Sequence, residues 1–179
     1  MRQIQSLDRV FRSLGAALSR DKRLKRRFAK EPQFERVVWD VVLERCARYF
    51  GKDTVPDLLL SSHKSLNLPG RSAEAWKRFK EQGGPNVEVL GSGRRLDMVV
   101  LVPGTRRGLG IEVECLSGKN PGNQLIVGLG QSLLALAKRD CVILIVNCPR
   151  ASRKERNELR EVGRRMLRQA PRLQLVVTP

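Results

Sequence analysis

Two neighbouring apolar runs, residues 96–102 and 110–116, carry acidic residues in their middle and most constrain the fold. A turn-rich segment separates them, which predicts an antiparallel hairpin. Glu112 and Glu114 share one face of the second strand, because side chains two apart in a strand point the same way. Asp97 of the first strand then lies beside them. Carboxylates gathered in an apolar hairpin need a compensating cation, and a divalent metal suits that role.

The periodicity of the remaining chain predicts an α/β fold with a mixed central sheet flanked by helices. Helices are predicted within 1–30, from Pro32 to Phe50, from Ser72 to Gln82, over 123–138 and from Ser152 to Ala170; strands are predicted at 87–90, 96–102, 110–116, 141–147 and 173–178. A helix between the third and fourth strands makes those two parallel, through a right-handed crossover. We expect a basic helical N-terminal extension, residues 1–30, and a core, residues 31–179, that includes a basic C-terminal helix and a final strand.

The helix predicted over residues 123–138 has two notable features. Its apolar residues share one side at helical spacing, and we expect that side to face the sheet: Ile126, Leu129, Leu133 and Leu136. Gly128 and Gly130 lower the helix propensity of this segment. They indicate a close approach of the helix backbone, either to a strand or to a phosphate.

The charge of the chain predicts a polyanionic partner. Lys and Arg number 35 against 18 Asp and Glu, which gives a net charge of +17. Such a bias favours nucleic acid over an acidic membrane surface, although a merely solvated basic face is the usual alternative. The candidate nucleic-acid-binding residues are Arg23, Arg26, Arg27, Arg94, Arg95, Arg153, Arg156 and Arg160. Arg94 and Arg95 directly precede the hairpin acids, where they are placed to hold a phosphate.

Composition also argues against several classes of protein. Aromatic residues make up only 4% of the chain, which argues against the base-stacking surfaces of single-strand-binding proteins. Four Cys without a CxxC pair and a single His argue against a zinc site. The absence of a signal-peptide core and of a membrane-length apolar run predicts a soluble, cytoplasmic protein with no membrane partner. No base-reading motif is recognisable, so we expect structure-selective binding.

The Asp97…Glu112-x-Glu114 pattern on a turn-linked strand pair resembles the PD-(D/E)XK nuclease superfamily, which includes type II restriction enzymes and archaeal Holliday-junction resolvases. The similarity spans residues 33–147, with a Gly-Ser-Gly loop before the aspartate and Glu35 near the start of the first core helix. It implies a restriction-endonuclease-like fold, a homodimer and Mg²⁺- or Mn²⁺-dependent hydrolysis of phosphodiester bonds in DNA. By the same resemblance Asp97 and Glu112 are metal ligands, and Glu35 is a further candidate.

The third motif position departs from the family pattern, which has a lysine there to help activate the attacking water. This chain has Glu114 instead. Glu114 is then a general base or a further metal ligand; alternatively the site is degenerate, and the chain is a catalytically silent nuclease-fold module that binds DNA or RNA. Lys119, at the entry to the next helix, is either a migrated catalytic ammonium group or a solvated loop lysine.

The acids also have a simpler explanation, in which they lie on a solvent-exposed face of the hairpin. The flanking runs 98–102 and 111–113 have the composition of strands buried on both faces, which favours the metal site. Glu35 either reaches into a cleft or is a helix N-terminal acid stabilised by the helix dipole. In a third functional hypothesis, a basic protein associated with RNA or the ribosome, the acids have no role.

Overall fold

Helices on both faces of a five-stranded mixed sheet make up the described part of the molecule. The computed structural model describes residues 6–61, 70–81, 86–89, 92–117 and 120–179, and of these the side chains of 70–72, 86–89, 92–95 and 167 are not described. The elements are α1 (Leu7–Arg20), α2 (Glu31–Phe50), α3 (Val55–Leu58), β1 (Leu59–Ser61), α4 (Gly70–Glu81), β2 (Asn86–Val89), β3 (Ser92–Arg95), β4 (Met98–Val100), β5 (Leu109–Cys115), α5 (Pro121–Ala135), β6 (Cys141–Asn147), α6 (Arg153–Gln169) and β7 (Leu173–Thr178).

The sheet has the strand order β1-β4-β5-β6-β7. β4 is antiparallel to both β1 and β5, whereas β5, β6 and β7 are mutually parallel. β2 and β3 form a separate antiparallel pair. The predicted α/β class, the hairpin and the parallel crossover are therefore confirmed. The predicted strand over 96–102 is too long, because pairing between β4 and β5 ends at Met98 and Ile111.

Residues typical of helix caps lie at both ends of α2 and at the start of α6, where the sequence predicts them. Pro32 lies in the first turn of α2, where its missing N–H needs no partner, and Gly51 ends that helix with a φ of 89°. Ser152 and Glu155 form a reciprocal capping box at the start of α6. These caps fix where the helices begin relative to the strands. None of the described helices is long and apolar enough to cross a membrane.

The apolar core has one layer on each face of the sheet. Helices α1 and α2 cover one face, and Leu14 and Leu18 of α1 are fully buried in the same cluster as α2 and β5. Helices α4, α5 and α6 cover the other face through two smaller clusters. β5 and β6 lie in the middle of the sheet and are buried along their length, Glu114 excepted. The site residues on β5 are therefore set in a rigid part of the fold.

α5 is rotated relative to the orientation that its apolar pattern predicts. Leu129 and Leu136 pack against the sheet side as expected, but Ile126 and Leu133 are 67% and 51% exposed. Gly128 instead faces β5, where a Cβ atom would lie 2.8 Å from Cγ of Glu114. The close backbone approach predicted from the glycines is confirmed at Gly128, whereas Gly130 has open space around it.

A buried amide at the end of β6 ties distant segments of the chain together. Asn147 is fully buried, and its amide nitrogen donates to the carbonyl of Arg26 and to Oγ1 of Thr178. Its Oδ1 accepts from the N–H of Phe28 at 3.1 Å. Because these bonds hold the segment just before α2, they also set the position from which α2 projects its acidic side chains.

Candidate functional site

Asp97 lies at the point where β4 separates from β5. Its Oδ2 accepts a hydrogen bond of 2.8 Å from the backbone N–H of Val113. Because β4 no longer pairs with β5 at this position, the carboxylate of Asp97 replaces a backbone acceptor. The N–H of Asp97 in turn donates to the carboxylate of Glu112. The two acids are therefore fixed beside each other by backbone hydrogen bonds rather than by an opposite charge.

Glu112 and Glu114 project from β5 towards α5. Glu112 is 5% exposed, and its Oε2 is buried without a hydrogen-bond partner among the described residues. Glu114 is less buried and its side chain lies against the backbone of α5 at Gly128. Any side chain at position 128 would occupy the space that Glu114 fills. The predicted common face of the two glutamates is confirmed.

α2 contributes two further acids to the same region. Glu35 is buried, as expected for a side chain that reaches into a cleft. The negative charges of Asp97 and Glu31 act on its carboxyl group and help to raise its pKa. Oε2 of Glu31 accepts a hydrogen bond of 3.4 Å from the N–H of Cys115. Sequence reasoning missed Glu31, although its spacing of four residues from Glu35 places both on one face of α2.

Burial and mutual repulsion raise the pKa values of these carboxyl groups. Burial, then the charges of Asp97 and Glu31, raises the pKa of Glu35 to about 8. Burial, then the charges of Glu31 and Asp97, raises the pKa of Glu114 to about 7. Burial also raises the pKa values of Asp97 and Glu112, and for Glu112 the nearby Asp97 adds to the effect. The carboxyl groups thus form one electrostatically coupled cluster.

The cluster has no cationic neighbour among the described side chains that lowers any of these raised pKa values. This is unexpected on composition alone, because the chain has 35 Lys and Arg residues. Buried carboxyl groups with raised pKa values keep protons more readily than exposed ones, and a bound cation would favour their ionised form.

The donor chemistry of the cluster fits a hard divalent cation, which prefers carboxylate oxygens. The buried and unpartnered Oε2 of Glu112 is one available ligand atom. Within the described ranges, no three side chains of His, Cys, Asp or Glu are arranged so that they could hold a metal ion as they stand.

The predicted phosphate-binding residues have different environments. Arg23 forms ion pairs with Asp21 at 2.9 Å and with Glu44 at 2.6 Å, so its charge is compensated. Arg156 and Arg160 are half-buried and donate to the carbonyls of Ala151 and Val177. The guanidinium of Arg26 stacks 4.8 Å from the centre of the Phe28 ring, and Arg27 and Arg153 are exposed. The side chains of Arg94 and Arg95 and the whole of Lys119 lie outside the described residues.

Comparisons with protein-family models, with curated proteins and with solved structures found no match to this chain. Three features of the molecule indicate a function: the carboxylate cluster, the topology that assembles it and the charge of the surrounding protein.

Proposed function

We propose that this chain is a metal-dependent endonuclease that hydrolyses phosphodiester bonds in DNA, with structure-selective binding and a restriction-endonuclease-like core of the PD-(D/E)XK type. The observation that carries the proposal is the coupled carboxylate cluster. Asp97, Glu112, Glu114 and Glu35 converge from a split strand pair and a neighbouring helix, and all have raised pKa values. A buried acidic site in a chain of charge +17 suits a cation bound next to a polyanion.

The topology supports the same proposal. An antiparallel hairpin carries the aspartate and the two glutamates, and a helical crossover then leads to a parallel strand. α2 covers the other face of the sheet and brings Glu35 to the cluster. This arrangement agrees with the order of elements that the family resemblance implies. It places oxygen ligands on elements that have little freedom to move.

In the proposed site, Asp97 and Glu112 would hold Mg²⁺ or Mn²⁺, and Glu31 and Glu35 would supply further oxygens from α2. When bound, such a metal lowers the pKa of a coordinated water and neutralises charge on the scissile phosphate. Glu114, held against α5, accepts the proton of the attacking water or adds a further ligand. Exposed basic side chains such as Arg27 and Arg153 bind the phosphate backbone of the DNA.

A cleavage assay tests the proposal directly. Purified protein is incubated with branched, duplex and single-stranded DNA and with RNA, in the presence of Mg²⁺, Mn²⁺ or a chelator. We expect cleavage of DNA only with metal. Asp97→Asn and Glu112→Gln should each lower the rate by at least about 100-fold, since even outer partners of metal ligands affect activity by about 10- to 100-fold.

Asp53→Asn is the matched control, because Asp53 is an exposed acid outside the cluster. It should retain the wild-type rate. Cleavage that persists unchanged in Asp97→Asn would show that the activity does not come from this site.

A catalytically silent module that binds DNA or RNA is the second candidate. Two observations favour it: Glu114 occupies the position of the family lysine, and the described acids are not preassembled around a metal position. Tight and salt-sensitive nucleic-acid binding without metal-stimulated cleavage would support this function. A crystal soaked with Mn²⁺ would then have no metal at the acids.

A further inference from the structure

Ser132 of α5 has a buried hydroxyl group that no described residue hydrogen-bonds. Its side chain is fully buried, and its Oγ reaches neither a side chain nor a backbone carbonyl in the part of the chain that the structure describes. A serine inside a helix often bonds to the carbonyl of the preceding turn, and this one does not. The hydroxyl is therefore available to a group outside its own helix.

The fold places Ser132 beside Glu112. β5 and β6 are parallel, so the helix that connects them, α5, runs antiparallel to β5. Gly128 of α5 lies against Glu114 of β5. Ser132 is one turn further on, about 6 Å along the helix from Gly128. Glu112 is about 7 Å back along the strand from Glu114, on the same face, so the serine and the glutamate lie at the same level.

A contact at the far end of α5 agrees with this alignment. Ala135 is buried in the apolar cluster that contains Leu96 and Val142. The side chains of those same two residues are the neighbours of Gly110 on β5. The level at which the serine meets the strand therefore lies between two contacts that the structure defines.

Glu112 has an available atom on this side. Its carboxylate accepts from the N–H of Asp97, but its Oε2 is buried without a partner among the described residues. A buried polar atom without a hydrogen bond is costly, and two such atoms on facing elements remove that cost by bonding to each other. A serine hydroxyl donates to a carboxylate and accepts from a protonated carboxyl group. The pair is therefore favourable in both states of Glu112.

We infer that the hydroxyl of Ser132 forms a hydrogen bond with Oε2 of Glu112 and makes Ser132 a positioning residue for that carboxyl group. The bond forms when the two side chains turn towards each other. It gives Glu112 a second fixed contact, on the α5 side, in addition to the N–H of Asp97. The role in metal binding rests on the proposed function, in which Glu112 is a metal ligand and its orientation affects affinity.

The small size of serine offers a simpler explanation, in which Ser132 only lets α5 pack closely on β5, as Gly128 does. Alanine is equally small and lacks the hydroxyl. Ser132→Ala therefore keeps the packing and removes the proposed bond, so it separates the two explanations.

A double-mutant cycle of Ser132→Ala and Glu112→Met measures the bond without metal or nucleic acid. Methionine has a similar length to glutamate and no oxygen atoms. Urea denaturation of the four proteins at neutral pH gives the unfolding equilibrium constants. We expect Ser132→Ala to raise this constant about fivefold in the wild type, the effect of one lost hydrogen bond, but not in the Glu112→Met background.

Ser13→Ala is the matched control for the loss of a hydroxyl group. Ser13 lies on α1, on the opposite face of the sheet, and its Oγ accepts from Nε of Arg45 at 2.8 Å. Because it is remote from Glu112, Ser13→Ala should change the unfolding constant by the same factor in both backgrounds.

Titration with Mn²⁺, followed by the electron paramagnetic resonance signal of the free ion, tests the positioning role. Ser132→Ala should weaken Mn²⁺ binding by about tenfold or more, the loss typical of residues that orient a metal ligand. Ser13→Ala should bind Mn²⁺ as the wild type does.

The two measurements separate this inference from the proposed nuclease. Equal effects of Ser132→Ala in the wild type and in the Glu112→Met background would overturn the bond. Unchanged Mn²⁺ affinity in Ser132→Ala would overturn the positioning role. A coupled pair in a wild-type protein that binds no Mn²⁺ would support the bond and overturn the proposed metal site instead.

Discussion

The two faces of β5 differ sharply in chemistry although they belong to one seven-residue strand. Towards α2, the strand presents apolar side chains that belong to the main core: Leu109, Ile111, Val113 and Cys115. Towards α5, it presents Gly110, Glu112 and Glu114. Alternation along a strand allows one face to stabilise the fold while the other gathers charge.

Stability and the proposed activity therefore depend on opposite faces of the same strand. Apolar burial at Ile111 favours the folded state, whereas ionisation of the carboxyl groups opposes it, because burial removes hydration from their charges. Substitutions on the two faces should therefore change the free energy of unfolding in opposite directions.

The largest effect is expected on the apolar face. Ile111→Ala should lower the free energy of unfolding by about 2–5 kcal/mol, because it leaves a cavity in a fully buried part of the sheet. Urea denaturation at neutral pH measures the change. Val162→Ala, at an exposed residue of α6, is the control and should change it by less than about 0.5 kcal/mol. If Ile111→Ala lowered the free energy of unfolding by less than about 1 kcal/mol, the apolar face of β5 would not have the stabilising role expected here.

The carboxyl groups around the end of β5, to which α2 contributes Glu35, should make stability fall as pH rises. The pKa of Glu35 is raised from 4.5 to about 8, so between these values the folded state binds a proton that the unfolded state has released. Stability from this group is therefore full below pH 4.5 and is lost as pH rises towards 8, by about 2–4 kcal/mol for Glu35 between pH 5 and pH 8. Urea denaturation between pH 5 and pH 8 measures it.

Glu35→Gln removes the titrating group and should flatten this pH dependence. Glu158→Gln, at an exposed glutamate of α6, should leave it unchanged. Wild-type stability that is constant or increases from pH 5 to pH 8 would mean that positive charges compensate the carboxylates in the folded protein.

A third and smaller effect concerns Glu112 alone. Glu112→Gln should raise the free energy of unfolding at pH 8 by about 1–3 kcal/mol, because it removes an ionisable group whose Oε2 is buried without a described partner. Thermal unfolding with and without Mn²⁺ checks this prediction. Added Mn²⁺ should stabilise the wild type but not the variant. Destabilisation by Glu112→Gln would instead assign Glu112 a structural role.

The smallest effect on stability should come from Gly128→Ala. The new methyl group would lie 2.8 Å from Cγ of Glu114, so the glutamate must move. The gain in helix propensity, about 1 kcal/mol, offsets much of that strain. We expect a stability change below about 1 kcal/mol but a clear loss of metal-dependent cleavage. Gly122→Ala, where the space is open, should retain cleavage.

Much of the fold could be predicted because its signals are local. Turn residues and strand alternation predict the β4–β5 hairpin, and the intervening helix predicts the parallel pairing of β5 and β6. The length of β4 could not be predicted, because the carboxylate of Asp97 replaces a backbone partner of β5. This replacement of a backbone group by a side chain depends on how the strands are arranged in three dimensions rather than on local strand propensity.

The site was only partly predictable for a similar reason. Glu112 and Glu114 are two residues apart in one strand, so their common face follows from the sequence. Glu31 joins the cluster only because α2 docks beside the end of β5. Counting apolar residues also predicts the wrong orientation for α5, because Gly128 rather than a large side chain faces Glu114.

The buried amide of Asn147 has a consequence for how the molecule folds. Its bonds to Phe28 and Arg26 join residues 119 and 121 positions apart in the chain. Contacts of such long sequence separation form only after most of the chain has been brought together, which slows folding. The amide hydrogen of Phe28 should therefore exchange with solvent only on global unfolding, and its exchange rate would report the stability of the whole domain.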